Sequence, residues 1–236
     1  LGFAGAVLAM AAVLAVIWIG SLVLLKKDLG KAKAKPKFKD ILSKSQAINV
    51  LSAARLFLFG ARDVWFVIAL PVYLSTVFGW NFWMVGGFLA CWIIGYGIVQ
   101  SIAPAITGKR SGKVPDGRAA FIWAALLAAL PAAIAVGLTT DASPQWVLIG
   151  GLLLFGALFA VNSSLHSYLI VSYAKKDGVS LDVGFYYMSN AMGRLIGTLL
   201  SGWVFQAYGL QACLWVSSLF VLLAAIISLR LPRHTR

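Results

Sequence analysis

The feature that most constrains the fold of this chain is a set of long apolar stretches without any charged residue. Residues 1–25 carry no formal charge, and neither do residues 64–108 or 195–229. A helix needs about 20 apolar residues to span a bilayer, whose hydrocarbon core is about 30 Å thick. A single helix over residues 64–108 would be roughly 67 Å long, because each residue adds about 1.5 Å. The chain must therefore turn back inside its longest apolar stretches.

Turn residues divide these stretches into seven predicted helices. Phe78 to Asn81 and Tyr208-Gly209 supply turns within the two longest stretches, and Thr140 to Pro144 supplies a polar one. The predicted helices span about 1–25, 46–78, 81–106, 119–140, 145–173, 183–207 and 210–229. Five tryptophans fall near the predicted outer ends, where interfacial rings are expected: Trp65, Trp80, Trp83, Trp146 and Trp203.

If the chain crosses the membrane in this order, the positive charges of its connections lie on one side of the membrane. Of the 20 Lys and Arg residues, 17 lie in alternate connections or in the tail, and the other connections hold none. These 17 are Lys26, Lys27, Lys31, Lys33, Lys35, Lys37, Lys39, Lys44, Lys109, Arg110, Lys113, Arg118, Lys175, Lys176, Arg230, Arg233 and Arg236. Short cytoplasmic loops are enriched in Lys and Arg. The basic connections and the C-terminus are therefore predicted to be cytoplasmic.

Composition excludes several classes of function. The chain is 61% hydrophobic and 11% charged, and a soluble domain of this length could not bury so much apolar surface. Its net charge of +13 lies in membrane-flanking loops, where anionic lipid accounts for it, so no nucleic-acid partner is expected. The chain has no glutamate and no phosphate-binding glycine loop, so we expect no enzyme, metal site or cofactor.

The order of these segments resembles the second half of a twelve-helix transporter of the major facilitator superfamily. One helix precedes a basic linker and six more helices, and Gly108 to Arg118 resembles a degenerate copy of that superfamily's second Gly/Asp/Arg/Lys loop. The resemblance implies an all-α polytopic membrane protein with the superfamily's C-terminal six-helix bundle plus one preceding transmembrane helix. Its parts would be the last helix of the first half at 1–25, a cytoplasmic loop at 26–45, the bundle at 46–230 and a cytoplasmic tail at 231–236. Because the chain begins at Leu1 inside a helix, a missing N-terminal half of the same chain is expected.

Two stretches resemble a narrower group. Ser52 to Val67 (SAARLFLFGARDVWFV) and Tyr186 to Trp203 (YYMSNAMGRLIGTLLSGW) are similar to the bacterial organoarsenical efflux permeases of this superfamily. That resemblance implies a bacterial inner-membrane exporter of 1-arseno-3-phosphoglycerate, which confers arsenate resistance. A glyceraldehyde-3-phosphate dehydrogenase would supply the substrate. Export of another solute, such as a drug or a sugar phosphate, stays an alternative, and so does a seven-helix receptor or sensor.

Ionisable residues inside predicted helices are the candidate site residues, because each costs at least ~2.5 kcal/mol to insert. Arg55 and Arg62 lie two turns apart on one helix face, and Asp63 is expected to face a different neighbour from Arg62. Arg194 lies near the predicted midplane, where its planar fork would suit phosphate or arsenate oxygens. At least one of Arg62 and Arg194 is predicted to face the central cavity and to bind the substrate's anionic oxygens. Arg55 is predicted either to do so or to snorkel to the cytoplasmic headgroups.

Three further residues have weaker assignments. Asp63 is predicted either to neutralise an arginine on a neighbouring helix or to relay protons. His166 could couple transport to protons, although polar residues in membrane helices more often bond a neighbouring helix. Asn190 is a candidate substrate ligand with the same alternative. Gly193, Gly197 and Gly202 are expected to allow close helix packing around Arg194.

Overall fold

The computed structural model describes residues 2–24, 45–107, 115–174 and 179–233. Within them lie seven helices: α1 (Phe3–Leu24), α2 (Gln46–Phe66), α3 (Ala69–Thr76), α4 (Phe82–Ile106), α5 (Gly117–Gly137), α6 (Pro144–Tyr173) and α7 (Val179–Ser228). The chain divides into two compact units, Leu1–Lys37 and Phe38–Arg236. The predicted cytoplasmic loop at 26–44, most of the 108–118 connection and the last three residues lie outside the described residues.

The first unit contains α1, a helix of 22 residues that is apolar on every side. Its mean hydropathy is 2.7 over residues Ala4–Leu24, and its large side chains, including Trp18 and Leu24, are exposed. A helix that is hydrophobic all round suits lipid or protein on every face. This helix matches the predicted first crossing.

The second predicted helix, residues 46–78, is wrong as a single element. The structure ends α2 at Phe66 and begins α3 at Ala69. Pro71 explains the break, because it lacks an amide hydrogen and its ring clashes with the carbonyl of the residue four positions earlier, Val67. The amides of Ile68 and Ala69, freed at the break, donate to the Ser201 hydroxyl of α7 at 3.3 and 3.1 Å.

The predicted turn at Tyr208-Gly209 is confirmed. Gly209 has φ 79° and ψ −177°, a conformation open to glycine, and it interrupts the 50 residues of α7. We call residues 179–208 the N-terminal arm and residues 210–228 the C-terminal arm. Gly60 of α2 lies against both Gly193 and Phe220, so the two arms run side by side as a hairpin.

Six described segments, α1, the α2–α3 segment, α4, α5, α6 and α7, are long and apolar enough to cross a membrane. The last of these, Leu181–Ser228, contains the Gly209 turn, so its two arms match the sixth and the seventh predicted crossings. The other predicted boundaries agree with α4, α5 and α6 within two or three residues. The all-helical fold class is therefore confirmed.

Close contacts between backbones set how the helices pack. A Cβ atom at Gly193 would overlap the backbone of Leu56, and one at Gly197 would lie 2.5 Å from the carbonyl oxygen of Gly60. Small residues at this spacing let α2 and the N-terminal arm approach closely. The predicted packing role of Gly193 and Gly197 is therefore confirmed, whereas Gly202 has only the Ile68 side chain nearby.

The remaining helices join through side chains that reach a neighbour's backbone. Gln211 and Ser218 of the C-terminal arm donate to the carbonyls of Ala135 and Ala128 in α5, both at 2.8 Å. Trp92 of α4 donates to the carbonyl of Leu152 in α6, also at 2.8 Å. Such bonds satisfy polar groups that lipid could not.

One end of the bundle gathers the elements flanked by basic connections. The Gly117 amide at the start of α5 donates to the Pro232 carbonyl at 3.1 Å, and the Tyr173 hydroxyl at the end of α6 donates to the same oxygen at 3.3 Å. The start of α5, the end of α6 and the described residues after α7 therefore lie at the same end of the bundle.

One predicted interfacial tryptophan is misplaced. Trp65 has no exposed surface, and its ring packs edge-on against Trp92 and Phe155 in the core. Trp83, Trp146 and Trp203 are 81%, 77% and 64% exposed, as interfacial rings would be. The sequence prediction failed at Trp65 because it considered only position along the helix, whereas the side of α2 that carries Trp65 packs against Trp92 of α4 and Phe155 of α6.

Candidate functional site

Three of the predicted site residues meet in one charged cluster between α2 and α7. The Oδ1 atom of Asp63 accepts from Nε of Arg62 at 2.7 Å and lies 2.6 Å from Nη2 of the same guanidinium as an ion pair. The Oδ2 atom of Asp63 accepts from Nε of Arg194 at 3.0 Å. We call Arg62, Asp63 and Arg194 the open cluster. It holds two cations and one anion, so its formal charge is +1 at neutral pH.

The prediction that Asp63 faces a different neighbour from Arg62 is wrong, because the two side chains bond each other. The backbone directions do diverge, but the long arginine side chain bends back across the helix surface. Aromatic rings favour this conformation, since the Arg62 guanidinium lies 5.3 Å from the ring of Phe59 and 5.5 Å from that of Phe159. The bond between Asp63 and Arg194 is the pairing with a neighbouring helix that the sequence offered as one alternative.

The open cluster lines a cavity of about 350 Å³. Arg62, Asp63 and Arg194 form its polar side. The remaining lining residues belong to the end of α2, to the α2–α3 break and to α4: Phe66, Val67, Leu89, Trp92, Ile93 and Tyr96. A largely apolar cavity with a few convergent polar groups is the usual form of a small-molecule site.

Arg55 lies apart from this cavity in a second cluster. Its Nε donates to the Asn190 side-chain oxygen at 3.1 Å, and its Nη1 donates to the carbonyl and hydroxyl of Ser163 at 3.3 and 3.4 Å. The guanidinium carbon sits 3.8 Å from the centre of the Phe59 ring and 5.0 Å from that of Tyr186. We call Arg55, Ser163, Tyr186 and Asn190 the closed cluster.

The snorkelling alternative for Arg55 is wrong. The residue is only 4% exposed, and its guanidinium is held by groups of α6 and α7 inside the bundle. Snorkelling was plausible from depth alone, but the sequence could not reveal that Asn190 and Ser163 stand opposite Arg55. The structure thus brings Asn190 to Arg55 rather than to the open cluster.

His166 lies next to the closed cluster on α6 and is fully buried. Neither ring nitrogen forms a hydrogen bond with any of the described residues. Asn162, one turn earlier, donates to the carbonyls of Trp123 and Leu158, both at 3.0 Å. That geometry assigns Asn162 to helix packing and assigns no partner to His166 within the described part of the chain.

Sequence reasoning missed the aromatic wall of the cavity. Trp92 and Tyr96 are four residues apart, so they share one face of α4, and their rings stack at 5.9 Å with an interplanar angle of 4°. Phe66 packs 4.8 Å from Trp92. The four-residue spacing was a usable signal, but nothing in the sequence said that this face of α4 meets Arg62 and Arg194.

Comparison with known families decides the class of protein. The family model of the Major Facilitator Superfamily matches residues 92–236, more than half of the chain, from Trp92 in α4 to the C-terminus. The chain belongs to the Major Facilitator Superfamily. It is therefore a multi-pass membrane protein of a transporter family, which favours a transporter over the seven-helix receptor considered above. No curated protein matches the chain.

Proposed function

We propose that this superfamily member exports an organic anion across a bacterial inner membrane, and that the anion is an arsenylated phosphoglycerate. The observation that carries the proposal is the open cluster on its cavity. Two arginines share one carboxylate there, which leaves one positive charge unbalanced beside a space of about 350 Å³. An anionic ligand would supply the missing charge.

Arg194 has the donors that such a ligand needs. Only its Nε atom is bonded to a described residue, whereas the planar guanidinium offers further N–H groups on its two terminal nitrogens. The side chain is 54% exposed, the most of the three residues of the cluster. Paired N–H groups fit two oxygens of a carboxylate, phosphate or arsenate. Arg62 adds charge at the back of the cavity.

The arsenylated ester itself comes from the resemblance of Ser52–Val67 and Tyr186–Trp203 to organoarsenical efflux permeases. On this proposal a glyceraldehyde-3-phosphate dehydrogenase makes the substrate, and the carrier removes it from the cytoplasm. The basic connections and the C-terminus would lie on the cytoplasmic side, and residues 46–230 would form one half of the translocation pathway. An ion gradient or the substrate's own gradient would drive export.

The test is arsenate resistance in cells that express the complete gene product together with glyceraldehyde-3-phosphate dehydrogenase. Arg194→Lys keeps the charge but loses the paired donors, so we expect it to abolish most of the protection. Arg230→Lys is the matched control, because Arg230 is exposed beyond the end of α7 and should protect like the parent. If Arg194→Lys reaches the membrane in normal amount and protects as well as Arg230→Lys, the anion site is not at Arg194.

The apolar wall of the cavity favours a second candidate, an exporter of drug-like anions. Val67, Leu89 and Ile93 present aliphatic surface, and Tyr96 and the arginines are its main hydrogen-bond donors. In proteoliposomes, the two candidates are distinguished by whether added 3-phosphoglycerate or added benzoate competes for transport. Competition by 3-phosphoglycerate alone supports the phosphorylated substrate, and competition by benzoate alone supports the drug-like anion.

A further inference from the structure

The contacts of Asp63 with its two arginines are unequal. Arg62 donates from Nε to one oxygen of Asp63 at 2.7 Å and has Nη2 2.6 Å from the same oxygen, while Arg194 donates from Nε to the other oxygen at 3.0 Å. Charge-assisted bonds are stronger when they are short. Asp63 is therefore held more tightly by Arg62 than by Arg194.

Burial follows the same order. The Asp63 side chain is 1% exposed, Arg62 is 14% exposed and Arg194 is 54% exposed. Arg62 is further fixed by the rings of Phe59, Phe66 and Phe159, all within 6 Å of its guanidinium carbon. The Arg62–Asp63 pair is thus a fixed unit of α2, and Arg194 is its exchangeable partner on α7.

We propose that Asp63 is a resident counter-anion, and that the transported anion replaces it as the partner of Arg194. This inference rests on the proposed function, since it requires an anion to enter the cavity. In the empty carrier Asp63 pairs with Arg194, so the arginine never stands alone in a region where an unpaired charge is costly. When the anion binds, the whole guanidinium of Arg194 turns to it and its single bond to Asp63 breaks, while Asp63 stays with Arg62.

A competing carboxylate has two consequences for transport. It weakens the binding of the anion, because part of the binding free energy goes into breaking the Asp63–Arg194 bond. It also helps the anion to dissociate, because the bond between Asp63 and Arg194 re-forms as the anion leaves. Asp63 is therefore a positioning residue that sets affinity and release together.

The decisive variant is Asp63→Asn in the complete gene product, reconstituted in proteoliposomes with 3-phosphoglycerate as the probe. Asparagine has nearly the same shape and still offers Arg62 an amide oxygen, but it lacks the charge. We expect KM to fall at least tenfold and net efflux to slow at least tenfold. Exchange of external for internal 3-phosphoglycerate should stay near the parental rate, since the carrier need not return empty. Asp141→Asn, the same change in the exposed turn before α6, should leave all three quantities unchanged.

Two further variants keep the test decisive. Asp63→Glu retains the negative charge but not the shape of the side chain, and we expect it to have the parental KM. If the effect of Asp63→Asn came from shape alone, Asp63→Glu would not restore KM. The double variant Arg62→Gln with Asp63→Asn removes the fixed pair as a neutral unit and should also lower KM, so it serves if the single variant does not insert.

The opposite sign overturns the inference. A higher KM for Asp63→Asn would mean that Asp63 orients Arg194 for the anion instead of competing with it, and the proposed anion site would stand. Failure of the proposed function has a different signature. In that case Arg194→Gln would transport 3-phosphoglycerate as the parent does, or the parent itself would neither transport 3-phosphoglycerate nor protect cells against arsenate.

Discussion

Helices α2 and α7 take part in two arginine clusters of opposite character. In the closed cluster, Arg55 is 4% exposed and is held by neutral groups, Asn190 and Ser163, and by two aromatic rings. In the open cluster, Arg194 is 54% exposed, bonds a carboxylate through one atom and faces a cavity. Arg55 donates from Nε and Nη1 to groups of the fold, whereas the terminal nitrogens of Arg194 stay available to a ligand.

The contrast shows why depth in a membrane does not assign a role to an arginine. From the sequence, Arg55 was predicted either to bind the substrate or to snorkel, and Arg194 to lie near the midplane. What separates them in the structure is the partner each meets. Neutral acceptors and ring faces enclose Arg55 and leave its charge in place as part of the core. A shared carboxylate leaves Arg194 able to exchange partners.

The largest effect is expected at the glycine seam, the close contact of Gly193 and Gly197 in α7 with the backbone of α2, on which both clusters depend. Gly193→Ala would place a Cβ atom against the backbone of Leu56, which cannot move without separating α2 from α7. We expect a loss of at least ~3 kcal/mol of stability, together with loss of transport. Gly184→Ala on the same helix meets nothing within 4 Å and should be close to neutral. Thermal unfolding in detergent compares the two, and equal stability would show that the clusters do not rest on this seam.

Much of the fold could be predicted from the sequence because the bilayer restricts the choice. Charge-free length, turn residues and basic connections located the helices and the Gly209 turn. The α2–α3 break was missed because the apolar pattern continues across it, although Pro71 was a readable signal. The arginines and Asp63 were found as candidates by their cost in lipid. Their partners were not, because nothing in the sequence states that residue 55 meets 190, or that 63 meets 194.

The second prediction compares the same substitution, arginine to lysine, at Arg55 and at Arg194. Arg55→Lys replaces a flat guanidinium that covers Phe59 with a strongly hydrated ammonium, and it loses the bond to Asn190. We expect a loss of ~2 kcal/mol of stability with KM for 3-phosphoglycerate unchanged. Arg194→Lys should do the reverse, changing stability by less than ~0.5 kcal/mol while raising KM. A raised KM in Arg55→Lys, without lower stability, would place Arg55 among the ligands of the substrate.

The third prediction concerns the wall behind the open cluster. Trp92→Phe keeps an aromatic ring but removes the bond from the indole nitrogen to the buried Leu152 carbonyl. We expect a loss of ~1 kcal/mol, with KM raised no more than a few fold, because the arginines keep their places. Chemical unfolding and uptake kinetics measure the two effects. Leu195→Ala, an exposed change on α7, is the control for a general loss of apolar surface.

Opposing effects on stability are expected from Asn190→Asp, which gives the closed cluster a carboxylate of its own. The new oxygen would accept from Arg55 Nε in place of the amide oxygen, now 3.1 Å away. The stronger charge-assisted bond and the cost of burying another charge should offset each other to within ~1 kcal/mol.

The effect of Asn190→Asp on transport is more informative. If the free donors of Arg194 bind the anion, the added charge acts only through its field and should raise KM by roughly threefold or less. If the summed positive charge of the bundle attracts the anion, neutralising Arg55 should impair transport as much as Arg194→Gln does, and the distinction between the closed and the open cluster would fail.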